Sequence, residues 1–161
     1  KTMKKILIAI LLAGFGLFSF GQESESYLEV MRSALKTEKK AMIAEVMEFT
    51  PQESEAFWPL YNEFQEKLYT ANTKYLKIVN EFAANYESMT DEKALDLMTR
   101  LNAYEGEVLK LKKAYVKKFS KILPSTKVLR YFQAENKIDI LIDYEMASSI
   151  PLLETDRKSV V

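Results

Sequence analysis

The stretch Phe49-Thr50-Pro51-Gln52-Glu53-Ser54-Glu55-Ala56-Phe57-Trp58-Pro59-Leu60-Tyr61 opens the longest helical pattern in the chain. Thr50 stands three residues before Glu53, the spacing of a capping box. The Thr hydroxyl can accept from the N–H of Glu53, and the Glu side chain can reach back to the N–H of Thr50. Pro51 falls at the first helical position, where a missing N–H costs nothing. Phe49 precedes the box, so Phe49, Thr50, Pro51 and Glu53 together encode a sharp corner. From there the apolar positions Phe57, Tyr61, Phe64, Leu68, Ala71, Tyr75, Ile78 and Phe82 alternate spacings of four and three. That rhythm of about 3.5 residues marks helices packed nearly parallel or antiparallel. It predicts a helix from Pro51 to about Tyr86.

Three more helices follow from the same reasoning, and strand patterns are missing. One runs from about Tyr27 to Glu48, with Met42, Ile43, Val46 and Met47 among its apolar positions. Another opens at Thr90, an N-cap residue followed by Asp91 and Glu92, whose charges suit the positive end of the helix dipole. Its stripe of Leu97, Leu101, Tyr104, Val108, Leu111, Tyr115 and Phe119 carries it to Leu123, where Pro124 stops it. The fourth runs from about Lys127 to Ser148, with Val128, Leu129, Phe132, Ile138, Leu141 and Ile142 apolar, and Ile150-Pro151 ends it. The fold class is all-α. A long antiparallel central hairpin, turning near Asn85–Thr90, is flanked by two shorter helices. At 1.5 Å per residue the central helices reach roughly 50 Å and the flanking ones roughly 33 Å, so about 15–20 Å of hairpin should protrude. The protruding part would carry Ile78, Val79, Phe82, Tyr86, Leu95 and Met98, to be covered by a second copy or a client. Trp58 and Tyr69 lie off the main stripe and are the best exposed aromatic candidates. Pro59 cannot donate to the carbonyl of Glu55. Either it bends the long helix or it separates a short first helix from the main one. Gly106 interrupts the third helix, either to allow a close approach or without consequence.

The first residues read as a secretory leader: Lys4 and Lys5, then an apolar run from Ile6 to Phe20, with Met3 as the starting methionine. That run is shorter than the roughly 20 residues a spanning helix needs. Ser19 and Gly21 supply small residues for cleavage between Gly21 and Gln22. The expected organisation is a leader over 1–21, one helical domain over 22–153 and a charged, disordered tail over 154–161. The expected location is the periplasm, with no stable membrane insertion after cleavage. A chain without Cys cannot become a diacylglycerol-modified lipoprotein. The whole chain carries 23 bases and 23 acids; losing Lys1, Lys4 and Lys5 with the leader leaves it slightly acidic. That is no footprint for nucleic acid.

Composition also narrows the chemistry. The chain has no His and no Cys. Catalysis through imidazole or thiolate is removed, as are zinc, copper and nickel sites of ordinary make-up. No enzyme activity and no cofactor are expected. Glu135, Asp139 and Asp143 form one acidic row at four-residue spacing. It could gather a hard cation, but a solvated row, or one paired with bases of the third helix, is the plainer reading. Lys110, Lys112, Lys113, Lys117, Lys118 and Lys121 make the end of the third helix basic. This suits the dipole there and leaves open a basic patch for clients. Met residues such as Met31, Met42, Met89 and Met98 offer adaptable packing.

The corners resemble those of the Spy/CpxP family of bacterial periplasmic proteins, named for an LTxxQ motif that occurs twice at helix-opening corners. Here the first copy reads Phe49-Thr50-Pro51-Gln52-Glu53: Phe replaces Leu, and Glu replaces the last Gln without loss of the capping mechanics. The second reads Leu123-Pro124-Ser125-Thr126-Lys127 and keeps only Leu123. Phe57-Trp58-Pro59-Leu60-Tyr61-Asn62-Glu63 and Phe132-Gln133-Ala134-Glu135-Asn136-Lys137 look like runs of a branch found in Bacteroidetes-like bacteria, often labelled sensors of extracytoplasmic sigma factors. The resemblance covers about Leu35 to Leu153. It implies a cradle-like homodimer that either chaperones unfolded or partly folded proteins without ATP under envelope stress, or regulates an envelope sensor such as a sensor kinase or a sigma-factor system.

Overall fold

The computed structural model describes residues 23–154. The expected leader with its Gly21-Gln22 cleavage point lies outside the described residues, as does the tail beyond Glu154. Four α-helices and no strand occur among the described residues: α1 Glu23–Met47, α2 Pro51–Ala84, α3 Asp91–Phe119 and α4 Ser125–Ser149. A short 3₁₀ turn, Tyr86–Ser88, lies between α2 and α3. The fold is all-α. No helix among the described residues is long and apolar enough to cross a membrane.

The chain divides into two compact units, one built on Phe49–Val128 and the other on the described residues up to Glu48 with Leu129–Leu152. In the first, α2 and α3 form an antiparallel hairpin whose contacts converge on the turn as residue numbers rise along α2. Phe57 packs on Phe119 at 5.2 Å between ring centroids, Phe64 stacks on Tyr115 at 4.6 Å, and Tyr75 stacks on Tyr104 at 5.1 Å. Phe57, Tyr61, Phe64, Leu68, Ala71 and Ile78 are buried from α2; Leu97, Tyr115 and Phe119 are buried from α3. Burying an aromatic or aliphatic side chain contributes about 1.5–3 kcal/mol, which makes this stripe the main support of the hairpin. Three sets of ion pairs edge it: Glu63 with Lys118 (2.9 Å), Lys74 with Glu107 (2.6 Å), and Glu81 with Arg100 (2.7 Å) and Lys93 (2.7 Å).

The α2 helix continues through Pro59 without interruption, so Pro59 does not split it. α3 ends at Phe119, short of the expected Leu123. The chain tightens into a turn there, with Ser120 N donating to Val116 O and Leu123 N to Phe119 O. The helix lengths are therefore closer than expected. At 1.5 Å per residue α2 exceeds α4 by about 14 Å, and α3 exceeds it by about 6 Å. Both differences fall short of the expected protrusion of about 15–20 Å.

In the second unit Ile43 and Met47 of α1 and Tyr131, Glu135 and Ile138 of α4 are buried. Here the expected α4 stripe needs correction. Continuing from Val128 at helical spacing, the buried face runs through Tyr131, Glu135 and Ile138, while Leu129 and Leu141 are 61% and 49% exposed. A glutamate in the middle of the face disguised it in the sequence.

Candidate functional site

The first corner is built as a capping box. Thr50 N donates to Glu53 Oε2 at 2.9 Å, and Glu53 N donates to Thr50 Oγ1 at 3.3 Å. Phe49 packs on Phe57 at 4.4 Å. The second corner is joined to it. Lys127, from the degenerate motif copy, donates to Glu53 Oε2 and lies 5.9 Å from the Phe49 ring. The Lys127 ammonium, then the Thr50 N–H, hold the Glu53 carboxyl below its ordinary range. Leu123 is buried at 5% exposure. The carbonyl of Pro124 accepts from the N–H groups of Lys127 and Val128, which opens α4. Phe49, Thr50, Pro51, Glu53, Leu123 and Pro124 are thus brought into one double corner, and Lys127, which the motif comparison passed over, ties it.

The candidate partner-surface residues scatter. Leu95 and Met98 are exposed, at 65% and 61%. Val79, Phe82 and Tyr86 are half-buried, with Phe82 and Tyr86 edge to face at 5.7 Å. Ile78, expected on the open surface, is buried in the hairpin because the four-and-three rhythm turns it toward α3, beside Arg100 and Tyr104. Trp58 is half-buried rather than exposed. Its indole N–H donates to Ser54 Oγ at 2.9 Å, and its ring meets Phe57 and Tyr61 edge-on at 5.1 and 5.3 Å. Tyr69 is half-buried as well.

The exposed apolar surface missed in the sequence lies on α4. Ile140 (65%) and Tyr144 (67%) stand one turn apart, with Leu141 beside them. Because the buried face of α4 runs through Tyr131, Glu135 and Ile138, these side chains occupy a second apolar face. Phasing the helix from Val128 would have exposed it.

Two members of the acidic row on α4 are paired with one base. Lys39 of α1 lies 2.7 Å from Glu135, whose side chain is fully buried, and 2.9 Å from Asp139. For these two carboxylates the base is a lysine of α1 where a base of the third helix was expected. Burial alone would lower the Lys39 pKa; the two carboxylates more than offset that and raise it above its ordinary value. Among the described residues no cluster of acids is arranged to hold a metal ion. Comparison with protein-family models, with curated proteins and with solved structures finds no match.

Proposed function

We propose that the chain is a non-enzymatic periplasmic binding protein of the Spy/CpxP kind, capturing exposed apolar segments of other proteins without ATP. The observation that supports this reading is the second apolar face of α4, where Ile140, Leu141 and Tyr144 stand exposed. Three such side chains, each half-covered by a client, would contribute about 5 kcal/mol at most. Association itself costs several kcal/mol, so each such contact is weak and clients can leave without an energy source. The leader-like first residues and the lack of His and Cys support the same reading.

The test is the aggregation of a denatured client in the presence of equimolar purified protein. Suppression is expected. A variant with Ile140→Ser, Leu141→Ser and Tyr144→Ser should lose it while keeping its helical circular dichroism. Unchanged aggregation across several clients would overturn the proposal. Pull-down from envelope extract that returns one stoichiometric membrane protein would favour the regulatory alternative.

A further inference from the structure

From Val108 to Ala134 the chain carries eight bases and no acid, although bases and acids balance at 23 each over its full length. α2 and the first half of α3 mix both signs, so this run departs from the rest of the hairpin. Three of its bases are committed: Lys118 to Glu63, Lys127 to Glu53 and Arg130 to Glu48. Lys110, Lys113, Lys117 and Lys121 have no ion pair among the described residues, and all four are exposed. Lys110, Lys113 and Lys117 follow one another at helical spacing on one side of α3. Lys121 stands just past its end, in the turn where its N–H donates to Lys118 O.

The helix dipole does not account for this row. Its pull on cations fades beyond the last turn, which holds Lys117 and Lys118. Lys110 and Lys113 lie earlier, where like charges three and four residues apart repel. Beside the row, Leu109 and Val116 stand two turns apart on one line and are exposed as well. The aromatic side chains of this half, Tyr115 and Phe119, are buried toward α2. No exposed ring is therefore offered here to a nucleobase. Each of the four bases is Lys, a flexible, hydrated point charge; Arg, whose rigid fork grips one carboxylate or phosphate, is not used. The face suits many loosely held negative charges lying over an apolar layer, which is the chemistry of an anionic bilayer surface.

We infer that the face from Leu109 to Lys121 docks on the surface of anionic lipid bilayers, its lysines among the headgroups and Leu109 and Val116 at the boundary with the acyl chains. Such docking is peripheral and reversible, held by charge and two apolar side chains rather than by a spanning segment. It stands on this face alone and not on client capture.

Purified protein is spun with vesicles of phosphatidylcholine alone and with vesicles of equal parts phosphatidylcholine and phosphatidylglycerol. It should pellet with the mixed vesicles far more than with the neutral ones, and the difference should shrink as salt rises. A lysine near an anionic surface contributes about a fivefold factor. Lys110→Gln, Lys113→Gln and Lys117→Gln in one chain should therefore lower partitioning by about a hundredfold with the helical spectrum unchanged. Lys40→Gln, Lys77→Gln and Lys137→Gln remove the same charge elsewhere and should leave partitioning near that of the wild type. Inorganic phosphate should release no more protein than chloride at equal ionic strength. Equal pelleting of the wild type with both kinds of vesicle, or equal losses in the two triple variants, overturns the inference. Release specific to phosphate would mean a site for the free anion, and release by polyglutamate at matched ionic strength would assign the face to an acidic protein; either result overturns it too.

Discussion

Glu48 places its backbone at φ 46°, in the left-handed region. A side chain there is strained by about 1 kcal/mol, and glycine is the residue that relieves it. Its ion pair with Arg130 is long, at 3.7 Å, and exposed on both sides, so it contributes little. Glu48→Gly should therefore raise stability by about 0.5–1 kcal/mol in urea denaturation. Thr50→Ala should lower it by about 1 kcal/mol through loss of the cap on α2. The two neighbours differ in how far the sequence announces them. Thr50 and Glu53 make a local motif, and every part of it was readable. The backbone of Glu48 is imposed by how α1 must end and α2 begin, and Glu has no preference for that conformation. Arg130 is involved too: its Nε donates to the carbonyl of Val46 at 2.7 Å, a contact across 84 positions of sequence.

Among the helices, α2 is the most legible in the sequence and α4 the least. The apolar rhythm of α2 is unbroken from Phe57 to Phe82, so its buried face was plain. In α4 the buried Glu135 interrupts the rhythm, and its partner Lys39 lies 96 residues earlier. Nothing local marks such a pair. It also predicts an asymmetric response. Lys39→Met leaves a carboxylate in a buried position and should destabilise the protein by about 3–5 kcal/mol. Lys39→Met with Glu135→Met should recover most of that loss. Thermal melts of the two single variants and the double variant check this. Additive losses in the double variant would mean that the pair is not coupled.

For the molecule as a whole, acid is the informative perturbation. Salt-bridge hydrogen bonds from Lys118, then the Tyr115 hydroxyl, hold the Glu63 carboxyl at about 2; Arg100, then Lys93, hold Glu81 at about 2. Both are lowered from an ordinary 4.5. The unfolded chain therefore takes up these protons first as pH falls. The contribution is complete above pH 4.5 and is lost progressively between 4.5 and about 2. Both carboxylates are exposed, so solvent screening keeps the effect modest. Glu81→Gln should flatten the pH dependence of the melting temperature across that window. An unchanged slope would remove Glu81 from the account. The all-α class and the antiparallel hairpin were readable because one face of each long helix repeats without a break. The outer faces were not, since exposure depends on which side the rest of the chain has already claimed.

The three sets of ion pairs along the hairpin also alternate in sign. α2 presents Glu63, Lys74 and Glu81 to Lys118, Glu107 and Arg100 of α3. Successive stations are eleven and then seven residues apart on both strands of the hairpin, with the order of charge reversed each time. Sliding one helix along the other by either interval would keep greasy stripe facing greasy stripe. An eleven-residue slip would set Glu63 against Glu107 in one direction or Lys74 against Lys118 in the other, and a seven-residue slip Lys74 against Arg100 or Glu81 against Glu107. The alternation works as a ruler: shape tolerates several settings of the hairpin, and charge favours one.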